Sequence, residues 1–240
     1  MKIVGLSKKG LVKTNNEDCY VIDSKSFYND SIVLDKATSI FVCDGVSNSN
    51  SGENASKLVC DELANNYSNF INFAKNECLD FIEDVNRKLL IKFEGSYTTI
   101  AGLVINEDVL KVINVGDSKV YRYREGMLKQ LTIDDTYYEY LKSINDESYK
   151  DYEGSHAITA CLGMNNFDKK NVHYNEIEFG IMPKDKIFVC SDGVSDMISK
   201  DELINILEQN IDINDIIVLM ENKIVSNGAK DNYTIVLMEV

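Results

Sequence analysis

Four aspartates lie at one end of apolar runs of strand length: Asp44, Asp117, Asp192 and Asp231. An aspartate at the tip of a strand is held by a rigid element and points into the loop region, which suits a shared site. Carboxylates that converge without basic partners repel one another, and a divalent cation relieves that repulsion. Oxygen ligands without a histidine or cysteine motif favour Mg²⁺ or Mn²⁺ over zinc or copper. The pattern therefore indicates a hard-metal site.

The same dipeptides have a simpler interpretation, because Asp-Gly is an ordinary turn and each aspartate alone could close a hairpin. Two of them, however, follow nearly identical apolar runs, FVC before Asp44-Gly45 and FVCS before Asp192-Gly193. This repetition favours a common site over two unrelated turns.

Histidine and cysteine chemistry receives little support from the sequence. The two histidines, His156 and His173, are far apart and lack the spacing of metal ligands, so neither zinc nor Ser/His/Asp chemistry is favoured. None of the six cysteines forms a CxxC motif, and most lie inside apolar runs. They are predicted to be buried small hydrophobes in a reducing cytoplasm.

The elements that would position the aspartates come in groups. Strand-length apolar runs cover residues 2–6, 20–22, 40–43, 98–105, 109–115, 120–124, 173–179, 187–190 and 233–240. Residues 53–93 have the periodicity of two consecutive amphipathic helices, and residues 203–224 that of a second pair. Grouped strands and paired helices favour an α+β fold with largely antiparallel sheets and helix pairs packed outside, rather than strict βαβ alternation.

Composition excludes several classes of protein. The chain has 240 residues, one proline and a formal charge of −14, which disfavours binding to a nucleic acid. It shows neither a long apolar segment near Met1 nor the roughly 18 apolar residues of a membrane span, so a soluble cytoplasmic protein without membrane attachment is expected. Residues 1–240 are predicted to form one domain, with a short helical or mobile flap-like insert near 134–157.

Seven segments occur in the order and at the spacings of a known family. They are GLVKTNNEDCYVID (10–23), FVCDGVSNSNSGENAS (41–56), SYTTIAGLVI (96–105), VINVGDSKVYRYREGMLKQLTIDD (112–135), ITACLGM (158–164), DKIFVCSDGVSDMIS (185–199) and GAKDNYTIVLMEV (228–240). Together they resemble the PPM family, the metal-dependent type 2C protein Ser/Thr phosphatases, in their compact bacterial form. The resemblance covers essentially the whole chain.

The resemblance implies a fold and an activity. The fold would be two central antiparallel sheets sandwiched between pairs of antiparallel helices, a four-layer αββα arrangement. The activity would be hydrolysis of phosphoserine and phosphothreonine by direct attack of a water that bridges two Mn²⁺ or Mg²⁺ ions. Phosphoproteins would be the substrates, a Ser/Thr kinase or its targets would be partners, and the enzyme would act as a monomer.

The family pattern also assigns metal ligands. Asp44 would bridge two metals, and the carbonyl of Gly45 would bind one of them. Asp192 and Asp231 would complete the other metal. Asp117 would hold a more loosely bound third metal together with Asp192.

Outside the metal ligands, the pattern assigns Glu17 and Asp18 to metal-bound waters and position 13 to the substrate phosphate. Family members usually have an arginine where this chain has Lys13, which keeps the charge but not the two-pronged geometry. Residues 46–51 lack the histidine that many members use to protonate the leaving group. Lys119 replaces the usual arginine, and Asp135 stands where a histidine is common.

These departures leave two alternatives to an active phosphatase. One is a regulatory or binding module that keeps the fold but turns over little substrate. The other is an unrelated acidic metal-binding hydrolase or structural domain.

Overall fold

Two antiparallel sheets form the centre of the protein. The computed structural model describes residues 1–35, 37–107, 109–152, 155, 157–178 and 180–240, and each sheet has six strands within these residues. The first sheet has the order β4-β1-β12-β11-β8-β9, and the second has the order β10-β7-β6-β5-β2-β3. The strands are β1 (Lys2–Lys8), β2 (Asp18–Ile22), β3 (Lys25–Phe27), β4 (Ser31–Leu34), β5 (Ser39–Asp44), β6 (Ile100–Asn106), β7 (Val109–Val115), β8 (Lys119–Arg124), β9 (Met127–Gln130), β10 (His173–Glu178), β11 (Lys186–Cys190) and β12 (Tyr233–Glu239).

Helices cover the outer face of each sheet. Those of the described chain are α1 (Gly52–Asn65), α2 (Tyr67–Phe70), α3 (Lys75–Lys92), α4 (Tyr137–Ser143), α5 (Asp192–Ser195), α6 (Lys200–Leu207) and α7 (Ile213–Ser226), with 3₁₀ turns at Glu147–Tyr152 and Lys169–Asn171. Among the described residues, no helix combines the length and the apolar character needed to cross a bilayer.

Three apolar layers hold the sheets and helices together. Between the two sheets, fully buried side chains such as Ile3 and Leu103 fill the central layer. Leu63 of α1 packs in a second layer against the second sheet, and Ile217 of α7 packs in a third layer against the first sheet. Most strands are thus buried on both faces, which explains why runs such as IFVC are continuously apolar rather than alternating. The four-layer αββα prediction is confirmed.

The strand and helix predictions hold best in the interior of the fold. The long apolar runs became strands, although the run at 98–105 begins pairing in β6 only at Ile100, and position 179 of the run at 173–179 lies outside the described residues. Strands β3, β4 and β9 were not predicted, because they have only three or four residues with exposed positions among them. The predicted helix pairs correspond to α1 and α3 and to α6 and α7, with the short α2 between the first two.

The segment at 134–157 contains α4 and the first 3₁₀ turn and packs through its own tyrosines. The rings of Tyr137 and Tyr152 meet edge to face with centroids 4.7 Å apart, and those of Tyr138 and Tyr149 lie 5.6 Å apart. Positions 153, 154 and 156 of this segment lie outside the described residues. That it acts as a flap stays a prediction.

A bidentate ion pair fixes the end of the first sheet farthest from the acidic turns. Arg124 donates from Nε and Nη2 to the two carboxylate oxygens of Asp185, at 2.7 and 2.6 Å, and Asp185 is 1% exposed.

We expect Arg124→Leu to lower the free energy of unfolding by about 3 kcal/mol, because it leaves a buried carboxylate without its cation. Urea denaturation checks this. The exposed Arg87→Leu serves as control, and an equal loss in both variants would contradict the assignment.

Candidate active site

A cavity of about 270 Å³ lies where turns from both sheets meet. Its acidic lining consists of Asp44, Asp117, Asp192, Asp196 and Asp231, and its remaining lining consists of Val46, Ser47, Asn48, Thr99 and Ile158. All four of the aspartates singled out in the sequence therefore line one space. Asp196 was not predicted.

Strand ends place these carboxylates. Asp44 is the last residue of β5, and it lies directly opposite Asp18, the first residue of β2. Asp192 begins α5 just after β11, and Asp231 lies two residues before β12. Since β5 belongs to the second sheet and β11 to the first, the cavity joins the two halves of the sandwich.

Two glycines allow the close approach behind Asp44. A Cβ atom at Gly45 would lie 2.4 Å from the backbone of Gly52, and one at Gly52 would lie 2.9 Å from Oε1 of Glu17. The backbone N–H of Gly45 donates to the carbonyl of Glu17 at 3.1 Å. The turn after Asp44 therefore packs tightly against the start of α1, which requires glycine at both positions.

Hydroxyl groups connect the strand tips beneath the cavity. The backbone N–H of Asp44 donates to Oγ1 of Thr99 at 3.0 Å, and that oxygen lies 2.7 Å from Oγ of Ser118. Thr99 and Ser118 are both buried. They tie Asp44 to the turn that carries Asp117. Apart from their place in the SYTT and GDS segments, no separate pattern in the sequence marked these two residues.

The carboxylates are crowded enough to favour a cation. Burial raises the pKa of Asp18 to about 7, although Ser191 donates to its Oδ2 at 2.8 Å. Its other oxygen, Oδ1, is buried without a hydrogen-bond partner among the described residues. Burial, followed by the charges of Asp18 and Asp192, also raises the pKa of Asp44 well above its usual value.

Such crowding of oxygen donors fits a hard divalent cation, which would neutralise the charges that raise these pKa values. In the described part of the chain, no three acidic, histidine or cysteine side chains already converge at ligating distance.

Lys13 supplies a positive charge at this acidic cavity. Its Nζ lies 2.9 Å from Oδ1 of Asp231 and also donates to the hydroxyl of Ser47, which in turn donates to Oε2 of Glu17 at 3.0 Å. Burial opposes the charged form, but the hydrogen bond and charge of Asp231 outweigh it and raise the pKa of Lys13. The ammonium is thus charged at neutral pH and in direct contact with Asp231, one of the predicted metal ligands.

Lys119 holds the turn that carries Asp117 in place. Its Nζ donates to the backbone carbonyl of Asp117 at 2.8 Å and pairs with Asp134 at 3.2 Å.

Asp196, the acidic residue that sequence reasoning missed, follows Asp192 by four residues, and its N–H donates to the carbonyl of Asp192 at 2.9 Å. The i, i+4 spacing in SDGVSD was the available signal, since it puts both side chains on one face of a helical turn.

Asp135 has a structural partner that the sequence did not indicate. One of its oxygens accepts from the N–H of Gly116 at 2.8 Å, and the other lies 2.7 Å from Nε2 of His173. The hydrogen bond to Asp135 raises the pKa of His173, and partial burial opposes it. His173 therefore braces, through Asp135, the turn that precedes Asp117.

The stabilisation from His173 should depend on pH. A histidine whose folded pKa is raised stabilises the protein fully below its unfolded pKa of about 6.5 and loses this contribution as pH rises through the folded pKa. We expect His173→Gln to lower the melting temperature more at pH 6 than at pH 9. Asn175→Gln on the same strand is the control. A deficit equal at both pH values would contradict an ionised His173.

The sequence of this chain is similar to those of known protein phosphatases. The sequence profile described as Protein phosphatase 2C matches residues 22–216. A serine/threonine phosphatase, stp, from Listeria innocua is 23% identical over 245 residues, which cover 96% of this chain and 92% of that protein. The serine/threonine protein phosphatase PstP from Mycobacterium tuberculosis is 25% identical over all of this chain and 45% of its own length.

Solved structures agree with the observed fold. The crystal structure of the Mycobacterium tuberculosis phosphatase PstP/Ppp superposes with a TM-score of 0.80 at 22% identity, covering 100% of this chain and 99% of that one. Stp1 from Staphylococcus aureus gives a TM-score of 0.82 at 22% identity, over 99% of this chain and 94% of the other. The profile match extends over well more than half of the sequence, so the chain belongs to the protein phosphatase 2C family and is a protein phosphatase.

Proposed function

We propose that the protein hydrolyses phosphoserine and phosphothreonine in phosphoproteins, with two divalent cations, Mn²⁺ or Mg²⁺, held at the acidic cavity. The observation that carries the proposal is that four aspartates from both sheets line this one cavity. Two further findings support it: the crowding that raises the pKa of Asp44, and the catalytic domain of PstP, a structural relative that was crystallised in complex with two manganese ions.

Asp44, Gly45 through its carbonyl, Asp192 and Asp231 would hold the two ions. Asp117 would hold a weaker third ion together with Asp192. When bound, the ions lower the pKa of water so that hydroxide is available near neutral pH, and they neutralise charge on the phosphoryl oxygens. Asp44 is the central ligand in this proposal because its position on β5 places it opposite Asp18 and within the field of the other three aspartates.

Residues around the ligands keep them in place. Glu17 is fixed by the N–H of Gly45 on its backbone and by Ser47 on its carboxylate, and Asp18 is fixed by Ser191. In this proposal these two acidic side chains would accept hydrogen bonds from the hydration shell of an ion, because such outer partners orient the inner ones.

Lys13 binds the substrate phosphate in this proposal. The contacts of its ammonium with Asp231 and Ser47, two residues that line the cavity, support this role. It acts as a point charge rather than a two-pronged clamp, which gives looser orientation than arginine would. Val46 and Ile158 supply the apolar part of the wall.

The substrate is a phosphoprotein, and we propose that it is a Ser/Thr kinase or a target of one. We further propose that the enzyme works as a monomer in the cytoplasm and does not bind nucleic acid. The formal charge of −14 supports the last point, because a phosphate backbone would be repelled.

Phosphate release from matched phosphothreonine, phosphoserine and phosphotyrosine peptides tests the proposal. With Mn²⁺ present, we expect turnover of the first two and little of the third. We expect excess EDTA to abolish turnover, with recovery by Mn²⁺ but not by Ca²⁺, because Ca²⁺ binds oxygen sites yet activates water poorly. Unchanged turnover in EDTA, or turnover of phosphotyrosine alone, would contradict the proposal.

A further inference from the structure

Leu11 and Val12 form an exposed apolar pair beside the active site. Each is 67% exposed, and the next residue is Lys13, which reaches Asp231 and Ser47. Single exposed apolar residues are ordinary on protein surfaces. Leu11 and Val12, however, are consecutive and directly precede Lys13, so they form part of the rim of the cavity.

The loop that presents this pair is tied down on both sides. The N–H of Leu11 donates to the carbonyl of Ala229 at 2.9 Å. The side-chain amide of Asn232 donates to the carbonyls of Lys9 and Asn15, at 2.8 Å each. Because the backbone is held in this way, an incoming group would find Leu11 and Val12 already ordered, and little conformational entropy would be lost on contact.

Glycine is required at the start of this loop. Gly10 has a φ of +78°, and a Cβ atom there would lie 2.2 Å from the carbonyl oxygen of Asp231. The loop therefore packs directly on the turn that carries Asp231. The backbone that carries Leu11 and Val12 is therefore held at a defined position relative to Asp231.

We propose that Leu11 and Val12 bind an apolar side chain that flanks the phosphorylated residue in the substrate. This rests on the proposed function and adds a sequence preference to it. The surface is continuous with the mouth of the cavity, because Lys13 lies between the pair and Ser47, and Val46 lines the cavity beyond. An extended peptide advances about 3.3 Å per residue, so a substrate whose phosphorylated residue enters the cavity would bring a flanking side chain to this surface.

The occupant is a substrate peptide rather than a second copy of this chain. A folded copy seated on Leu11 and Val12 would crowd the approach to Lys13 and to the cavity, which a protein substrate must reach. An extended segment reaches the cavity and the apolar pair at once. It also matches the chemistry of the rim, since one apolar contact lies beside one cation.

Paired phosphothreonine peptides test this inference. One series carries leucine, in turn, at each position from three before to three after the phosphothreonine, and the matched series carries serine there. For the wild-type enzyme, we expect one position at which the leucine peptide has a kcat/KM about tenfold higher than the serine peptide, mainly through KM. In Leu11→Ser/Val12→Ser, that ratio should fall to near one. Ile91→Ser, which changes an 84% exposed residue of α3, should keep the tenfold ratio.

The outcomes separate this inference from the proposed function. If the wild-type enzyme fails to hydrolyse p-nitrophenyl phosphate with Mn²⁺, the proposed function fails. If it hydrolyses that compound but shows no leucine preference, or if the preference survives in the double variant, the inference is overturned. A wild-type dimer that the double variant loses, with an unchanged leucine ratio, would assign the surface to a second copy and would also overturn it.

Discussion

Replacing Asp44 by asparagine is expected to lower kcat on a phosphothreonine peptide by well over 100-fold while leaving the protein folded. Loss of an outer partner of a metal ligand typically costs about 10- to 100-fold, and a central ligand should cost more. In the proposed site Asp44 is the central ligand, because the charges of Asp18, Asp117, Asp192 and Asp231 all raise the pKa of its carboxyl group. We expect Asp192→Asn and Asp231→Asn to behave similarly. Asp117→Asn should mainly raise the Mn²⁺ concentration needed for half-maximal activity.

The same substitution should not destabilise the metal-free protein. A carboxyl group whose folded pKa is raised above the unfolded value of about 3.8 destabilises the fold once pH exceeds that value, because ionisation is harder in the folded state. Asparagine removes this cost. In EDTA at pH 7.5, Asp44→Asn should melt no lower than the wild type, and any gain should vanish as pH approaches 4.

Asp61→Asn is the matched control for these measurements, because Asp61 is an exposed residue of α1 outside the acidic cavity's lining and accepts a hydrogen bond from the hydroxyl of Ser26 on β3. It should leave kcat unchanged. An Asp44→Asn enzyme with near-wild-type turnover, or one that is unfolded in EDTA, would contradict the account of the cavity.

The second large effect concerns the leaving group. Among the residues that the structure describes, the cavity lining contains no histidine, and the sequence of residues 46–51 includes no side chain that is an acid near neutral pH. Loss of general-acid catalysis costs about 10²- to 10⁴-fold when the leaving group is a poor one, such as the alkoxide of threonine. We therefore expect kcat for p-nitrophenyl phosphate to exceed kcat for a phosphothreonine peptide by at least about 100-fold. Measurable turnover of p-nitrophenyl phosphate would also exclude the alternative that the protein is a binding module that turns over little substrate.

A histidine placed in the cavity should narrow that gap. Within residues 46–51, where the family histidine is missing, the hydroxyl of Ser49 is buried and Ser49 is not among the lining residues of the cavity, whereas Asn48 is. Asn48 has a φ of +68°, a conformation in which histidine is among the better-tolerated residues. Asn48→His should raise kcat for the peptide and not for the aryl ester, and Asn48→Gln is the control. Equal wild-type rates on both substrates would show that another group donates the proton.

The acidic cavity was predictable because its main residues have a local signal. Asp44 and Asp192 each follow a continuous apolar run and precede glycine, so the sequence marks both the strand and the turn that ends it. An α+β fold with antiparallel sheets and outer helix pairs was predictable for a related reason: long buried strands and amphipathic helices are the elements with the strongest patterns. Their arrangement in four αββα layers was implied by the family resemblance.

The contacts around the site were less predictable because they join residues that are distant in sequence. Asp135 and His173 are separated by 38 positions, and Lys13 meets Asp231 from the opposite end of the chain. Neither pair has a spacing rule that would reveal it. The short edge strands escaped prediction for a different reason. With three exposed or half-exposed residues, β3 buries too little apolar surface to leave a pattern.

Calorimetric titration of the metal-free protein with Mn²⁺, carried out alongside activation of phosphothreonine hydrolysis over the same concentrations, tests the central claim most directly. The account predicts that wild-type protein binds at least two Mn²⁺ ions, that activity rises as these sites fill, and that Asp44→Asn loses both the binding heat and the activity. Hydrolysis by protein that binds no Mn²⁺, or full Mn²⁺ binding by Asp44→Asn, would contradict it.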